Sequence, residues 1–291
     1  MEEKIIENII PKLIFIVPYR NREKEKTHFS IYMKYIMEDY LLDDYEIYYS
    51  HQIDNRPFNR GATKNIGFLA MKEKYPNDYK NITFVFNDID TLPSQKNTFD
   101  YITLKGVIKH FYGFTFTLGG IFSIIGSDFE QCNGFPNNWG WGLEDNAMQE
   151  RVLLNKFIID RQHFYPINSK EVIHLYDSPN RLISNREPDN YLKKNMIDNL
   201  SNITELTYCI NYDLKNDDLK NGDLKNDLNI NKISYKLQKE YLINITNFKT
   251  LINPANEMFY TQNTFYNAKL YGNAYEKSIS RSRWNLINNF K

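Results

Sequence analysis

The strongest constraint on the fold is a set of short apolar runs separated by segments of helical length. Residues 13–17, Leu-Ile-Phe-Ile-Val, are apolar without interruption and close on Pro18. A strand with one wet face alternates polar and apolar residues; an uninterrupted apolar strand must be buried on both faces, as in a parallel sheet covered by helices. Residues 45–49 (Tyr-Glu-Ile-Tyr-Tyr) and 82–86 (Ile-Thr-Phe-Val-Phe) read as two further strands. Between them, residues 25–42 and 60–75 carry apolar positions at helical spacing, the second ended by Tyr75-Pro76-Asn77. The order strand, helix, strand, helix, strand predicts a parallel α/β sheet, whose ligands sit beyond the carboxyl ends of the strands. Two polar segments fall there, Pro18-Tyr19-Arg20-Asn21-Arg22 after the first strand and Asn87-Asp88-Ile89-Asp90 after the third, so they are expected to be neighbours.

Further along, the uncharged stretch 111–126 reads as a buried strand-turn-helix, too short and too polar for a bilayer span. Residues 119–165 read as a strand, a loop, a helix over about 144–156 and a strand near 157–160. Residues 213–228 repeat Asp-Leu-Lys-Asn (213–216, 218–221 and 223–226), a polar pattern that cannot bury a core and reads as an expanded surface loop. Strands are expected at 232–237 and 241–246. The domain reading is a catalytic unit over 1–248 and an appendage over 249–291.

With 42% hydrophobic and 15% aromatic residues, the chain can build a full core, and its formal net charge of zero argues against nucleic acid as partner. Cys132 and Cys209 allow at most one disulfide, and no CxxC pair suggests zinc. No apolar leader follows Met1. The expectation is a soluble, cytoplasmic protein without a membrane span.

Four constellations carry chemistry. Asp88 and Asp90 at a strand end offer hard oxygen ligands for Mg²⁺ or Mn²⁺, though an acidic turn alone would look the same. Arg20, Arg22 and Arg60 (in Phe58-Asn59-Arg60) offer guanidinium forks for phosphate, with pairing to Glu23 or Asp54 as the bland alternative. Residues 134–145, Gly-Phe-Pro-Asn-Asn-Trp-Gly-Trp-Gly-Leu-Glu-Asp, place Trp139 and Trp141 between glycines, where indoles can stack on sugars, immediately before Glu144 and Asp145. A carboxylate there can take a proton from a sugar hydroxyl; helix N-terminal charge is its ordinary explanation. Glu171 and His174, three apart, can face one ion from a helix turn or bent loop.

In this order the four pieces resemble the β-1,4-galactosyltransferase family (glycosyltransferase family 7), over roughly residues 13–195 and more weakly to about 248. The Trp string is the most specific match, supported by the arginine motif, Phe58-Asn59-Arg60, Asp-x-Asp and Gly119-Gly120. The resemblance implies a GT-A, Rossmann-like mixed α/β sheet flanked by helices with a C-terminal extension. It further implies an inverting transfer from UDP-galactose or a related UDP-sugar to a glycan hydroxyl, with Mn²⁺. By motif, Asp90 and His174 hold the metal, with Glu171 beside them, while Asp145 is the general base and Glu144 and Trp141 position donor and acceptor. Arg20, Arg22 and Arg60 hold nucleotide and diphosphate, and Asp88 lies near the uridine or ribose. Pro18, Phe58, Ile89 and Gly120 complete the donor site, and the segment after His174 forms a lid.

The departures from the family are informative. The family has Tyr-Phe before Gly-Gly, and the tyrosine helps select galactose; here Thr117-Leu118 leave room for an N-acetyl group, making UDP-GalNAc a donor candidate. Asn146 and Ala147 stand where the family continues its acidic run, which leaves the acceptor open. Many animal members have Met where Glu171 stands, and the added carboxylate would broaden metal use to Mg²⁺. The disulfides of Golgi-resident relatives cannot form from these two cysteines, which suggests a viral or bacterial catalytic domain, in the host cytoplasm if viral. Two rivals are a non-catalytic nucleotide-sugar or glycan-binding module on the same fold and a haloacid-dehalogenase-type phosphohydrolase. The latter's Asp-x-Asp-x-Thr is missed because Thr91 comes one place early.

Overall fold

The computed structural model of this chain describes residues 9–175, 180–184, 197–212 and 239–263. The elements begin β1 (Leu13–Tyr19), α1 (Glu23–Ile36), β2 (Tyr45–Gln52), α2 (Arg60–Lys74), β3 (Thr83–Asn87), β4 (Thr91–Pro93), β5 (Val107–Gly113), β6 (Ile121–Ile125) and α3 (Gly126–Gln131). They continue with α4 (Glu144–Leu154), β7 (Ile158–Asp160), β8 (Tyr165–Pro166), β9 (Val172–His174), β10 (Asn180–Ser184), β11 (Thr204–Tyr212), β12 (Glu240–Lys249) and β13 (Phe259–Asn263).

The main sheet runs β11-β12-β2-β1-β3-β6-β5-β7, with β8 beside β5. β12, β2, β1 and β3 are parallel neighbours, whereas β6 is antiparallel to both β3 and β5, and β11 is antiparallel to β12. The sheet is therefore mixed. Every residue of β1 and β3 is buried, and the two faces of β1 divide between two cores. Leu13, Phe15 and Val17 pack with Phe29, Met33 and Ile36 of α1. Ile14 and Ile16 pack with Ile66, Phe68 and Ala70 of α2. A continuous apolar run is what two helical layers demand.

The chain leaves β1 toward β2 on one side and reaches β3 on the other, so the sheet order reverses between β1 and β3. Pairing between them ends at Ile16↔Phe86 while β1 continues beside β2 to Tyr19↔His51. Pro18, which has no N–H to donate, lies past that last β3 partner, where its missing donor leaves no gap in the β3 ladder. A crevice opens at such a reversal, and it is where ligands bind in open α/β sheets.

Several boundaries differ from the sequence reading. α1 ends at Ile36 and not near residue 42, because Met37 caps it and the chain turns so that the Tyr40 ring meets Tyr45. The stretch 111–126 is not strand-turn-helix: β5 ends at Gly113, β6 starts at Ile121, and helix begins only at Gly126. The strand expected at 241–246 lies inside β12. The repeat at 213–228, the strand expected at 232–237 and most of the segment after His174 expected to form a lid lie outside the described residues. Within the C-terminal stretch, β13 pairs antiparallel with β10. Among the described residues no helix is long and apolar enough to cross a membrane.

Candidate active site

Asp88, Ile89 and Asp90 leave the end of β3 into the crevice, and α2 enters it N-terminus first. Asn59 caps α2, its side chain accepting from the Ala62 N–H, and donates to the Asn137 carbonyl. Asn65, further along α2, donates to the Phe135 carbonyl and accepts from the Phe135 N–H. These asparagines clamp the Gly-Phe-Pro-Asn-Asn segment onto α2, which fixes where α4 starts.

The start of α4 carries Glu144 and Asp145 into the crevice. Arg60 bridges the two sides: Nη2 lies 2.6 Å from Asp88 Oδ1 and Nη1 lies 3.4 Å from Glu144 Oε1. Lys64, one helical turn on, lies 2.8 Å from Asp145 Oδ1 and 4.0 Å from Asp88 Oδ1. Three carboxylates thus share two cations in a poorly hydrated site. Burial alone would raise Asp88, but Arg60 and Lys64 outweigh it and hold it below the usual carboxylate range. Burial pushes Asp145 up, Lys64 opposes it, Glu144 adds to it, and the result is about 6. Arg60 is desolvated, yet Asp88, Glu144 and Asp145 hold its proton far more tightly than usual.

The Gly-Gly pair has two separate reasons. A Cβ on Gly119 would come within 2.6 Å of Asp145 Oδ2, so a side chain there would displace the carboxylate. Gly120 has φ +71° and would bring a Cβ within 2.4 Å of the Tyr112 carbonyl. In return the Gly120 carbonyl accepts from the Asp88 N–H and the Leu118 N–H donates to the Asp145 carbonyl. This turn therefore ties together the two acidic segments, β3 and α4.

Asp90 points to the other end of the crevice. Its Oδ1 lies 4.0 Å from His174 Nε2, and its Oδ2 lies 3.4 Å from Arg22. β4 pairs with β9, placing Thr91 opposite His174, and the Leu175 N–H donates to the Asp90 carbonyl. Burial and the Asp88 charge raise the proton affinity of Asp90, with His174 and Arg22 acting against them. A carboxylate so poorly compensated favours a nearby cation. At 4.0 Å apart, the two groups lie within the span, about 3.0 to 4.2 Å, that two bonds of about 2.1 Å to one divalent ion can bridge. Asp90 and His174 therefore fit an Mn²⁺ or Mg²⁺ ion as two protein ligands. Among the described residues no three His, Cys, Asp or Glu side chains converge on one point. Glu171 does not join them: β9 is extended, not a helix turn, and the Glu171 carboxylate accepts from Ser169. That hydrogen bond also lowers the Glu171 pKa.

The remaining residues divide in role. Arg20 is committed to its own neighbourhood, donating to the carbonyls of Arg56 and Asp54, so it braces the β2–α2 loop. Pro18 and Ile89 are buried at the crevice floor, and the Phe58 carbonyl accepts from the Gly140 N–H. The two tryptophans part company. Trp139 is 1% exposed, stacks on Phe248 at 5.3 Å and donates to the Ile252 carbonyl; it is a core residue that ties residues 248–252 to the loop. Trp141 is 41% exposed and is the indole open to a ligand.

Two contributors were not foreseen from sequence. Lys64 was signalled only by its helical spacing from Arg60. Tyr112, whose hydroxyl lies 3.1 Å from His174 Nδ1, had no local signal, because β5 and β9 meet only in the fold.

The chain is thus a mixed α/β sheet flanked by helices, with an acidic, arginine-braced crevice at its switch point, an architecture close to that of GT-A galactosyltransferases. Residues 9–101 match the N-terminal region of glycosyl transferase group 7, and residues 107–177 match the N-terminal domain of galactosyltransferase. Together these span more than half of the chain, and the chain belongs to glycosyltransferase family 7, the β-1,4-galactosyltransferase family. It is 33% identical over 164 residues to β-1,4-galactosyltransferase 4 of Cricetulus griseus, covering 52% of this chain and 45% of that one. It is 30% identical over 180 residues to the xylosylprotein 4-β-galactosyltransferase of Caenorhabditis elegans, covering 58% and 60%. The chain spans about half the length of the curated relatives it matches. The catalytic domain of Drosophila β-1,4-galactosyltransferase 7, in complex with xylobiose, shares the fold at TM-score 0.55 and 21% identity, covering 81% of this chain and 94% of that one. A mutant of that protein in complex with manganese, UDP-Gal and xylobiose gives TM-score 0.51 at 20% identity, over the same shares.

Proposed function

We propose that this protein is an inverting, metal-dependent glycosyltransferase that moves galactose or N-acetylgalactosamine from a UDP-sugar to a hydroxyl of a glycan acceptor. The observation that carries this reading is the joining of Asp145 and Glu144 at the start of α4 to Asp88 through Arg60 and Lys64, beside the Asp90–His174 pair. Proton abstraction and diphosphate binding thereby meet in one crevice.

In this reading Asp145 accepts the proton of the acceptor hydroxyl as its oxygen attacks the anomeric carbon and the bond to UDP breaks on the opposite face. A base with a pKa near 6 is largely ionised at neutral pH yet strong enough to assist the transfer. Glu144, held by Arg60 and by the Gly142 N–H, orients the sugar, and Trp141 supplies a stacking face. Mn²⁺ bound by Asp90 and His174 would neutralise charge on the departing diphosphate, and Arg22, 3.4 Å from Asp90, would add a guanidinium to that charge balance.

Thr117 is buried, and its short side chain donates to the Phe114 carbonyl. A side chain this short in place of the family's tyrosine is the ground for proposing UDP-GalNAc beside UDP-galactose as donor. Cys132 and Cys209 are both free thiols, which supports a reducing compartment, the cytoplasm, or the host cytoplasm if the chain is viral.

A donor-hydrolysis and transfer screen over UDP-sugars with Mn²⁺ tests the proposal. Turnover of UDP-galactose or UDP-GalNAc that vanishes with chelator is expected. Metal-dependent UDP binding without any turnover would favour a glycan-binding module. A clear preference for UDP-galactose over UDP-GalNAc would remove the Thr117 reading.

A further inference from the structure

Lys64 has no role in the reaction described above, yet it is the most unusual charge in the crevice. It is 2% exposed, and a lysine buried to that degree is costly unless its charge is matched and held. The match is direct: Nζ is 2.8 Å from Asp145 Oδ1, and its ammonium lies 4.5 Å from the centroid of the Phe135 ring. The charged groups facing Asp145 are Lys64 and Arg60 from α2, Glu144 from its own helix and Asp88 from the end of β3. Arg60 is engaged by Asp88 and Glu144, so Lys64 is the cation in direct contact with Asp145.

We propose that Lys64 is a positioning residue for the general base: its ammonium keeps the Asp145 carboxylate ionised and aimed past Gly119 toward the acceptor hydroxyl. The inference rests on reading Asp145 as the base. Without the ammonium, three carboxylates would share one guanidinium in a desolvated crevice, and the least compensated of them would take up a proton. Nζ also lies 4.0 Å from Asp88. When Asp145 accepts the acceptor's proton, the ammonium therefore still faces a carboxylate and is not left unmatched. A cation in contact weakens a base while keeping it ionised, so Lys64 sets a compromise between readiness and strength.

The test is a ¹³C titration of the aspartate carboxyls, with Asp145 assigned by its loss in Asp145→Asn, in the wild type, Lys64→Met and Lys64→Arg. Loss of the ammonium is expected to raise the Asp145 midpoint by about one unit or more. The acid limb of kcat/KM for the acceptor should move by the same amount, while donor affinity changes less than about threefold. Lys64→Arg should return both to wild-type values. A midpoint indifferent to Lys64→Met, or a turnover loss equal at every pH, would overturn the inference and leave the base reading intact. Full transfer activity in Asp145→Asn would remove the base reading, whatever Lys64 does. Should Lys64→Met not fold, Lys64→Gln takes its place: a rise of the Asp145 midpoint by about one unit or more supports the inference, and a smaller change overturns it.

Discussion

The phenol of Tyr112 lies 3.1 Å from Nδ1 of His174, while Nε2 of the same ring faces Asp90. Nε2 can bind a metal only as the bare nitrogen, which puts the proton on Nδ1 and makes Tyr112 its acceptor. Such partners fix the tautomer and orientation of a ligating imidazole. Tyr112→Phe should therefore weaken Mn²⁺ binding about tenfold or more without unfolding the chain. Calorimetric titration of Mn²⁺ in the presence of UDP checks this; unchanged affinity would mean that the phenol does not set the ring.

Asp145→Asn should leave UDP binding nearly intact while turnover falls about 10²-fold or more. In the wild type, activity should rise with pH through about 6 as Asp145 ionises. Stability should run the other way. The folded pKa lies above the ordinary value of 3.8, so between those two values the folded state binds more protons than the unfolded one. Asp145 thus contributes stability at acid pH that is lost as pH rises through about 6. Melting temperatures across pH 4 to 7 for both proteins measure that difference, and parallel curves would argue against a raised Asp145.

Leu143, which directly precedes α4, has φ +68°. That left-handed conformation costs a side-chain-bearing residue about 1–2 kcal/mol, while glycine gives back about 0.5–1 kcal/mol in chain entropy. Leu143→Gly should raise the melting temperature by about 1–3 °C. A lower melting temperature would show that the leucine's packing outweighs its backbone strain.

The two indoles should separate cleanly on truncation. Trp139→Ala removes a buried ring stacked on Phe248 and is expected to cost about 3–5 kcal/mol. Trp141→Ala should change stability by less than about 1 kcal/mol and instead raise the KM for acceptor. Denaturant melts and acceptor titrations distinguish the two.

The half of the site nearest β1 and β3 was legible because its elements are buried on both faces, so burial pattern and chain order coincide. The acidic triplet and Arg60 could be placed at strand and helix ends from that order alone. The turn at 114–120 was harder: the stretch 111–126 carries no charge to mark where β5 ends and α3 begins, so it read as strand-turn-helix although β5, β6 and the start of α3 all fall in it. Glu171 was misplaced for a related reason. A three-residue spacing brings side chains together on a helix but not on a strand, and only the pairing of β9 with β4 decides which applies. Tyr112 and the direct Lys64–Asp145 contact depend on tertiary neighbours that no local pattern encodes. The split between Trp139 and Trp141 depends likewise on Phe248, more than a hundred residues away.

The pairing of β11 with β12 reaches Tyr212 opposite Tyr241. The chain therefore leaves the sheet edge and returns to it at one place, on either side of the Asp-Leu-Lys-Asn units. Where the two ends of a connection are already held together, doubling its length adds only about 0.6 kcal/mol of closure entropy. Insertions or deletions between Tyr212 and Tyr241 are therefore expected to leave these paired strand ends, and the crevice on the far side of the sheet order, in register.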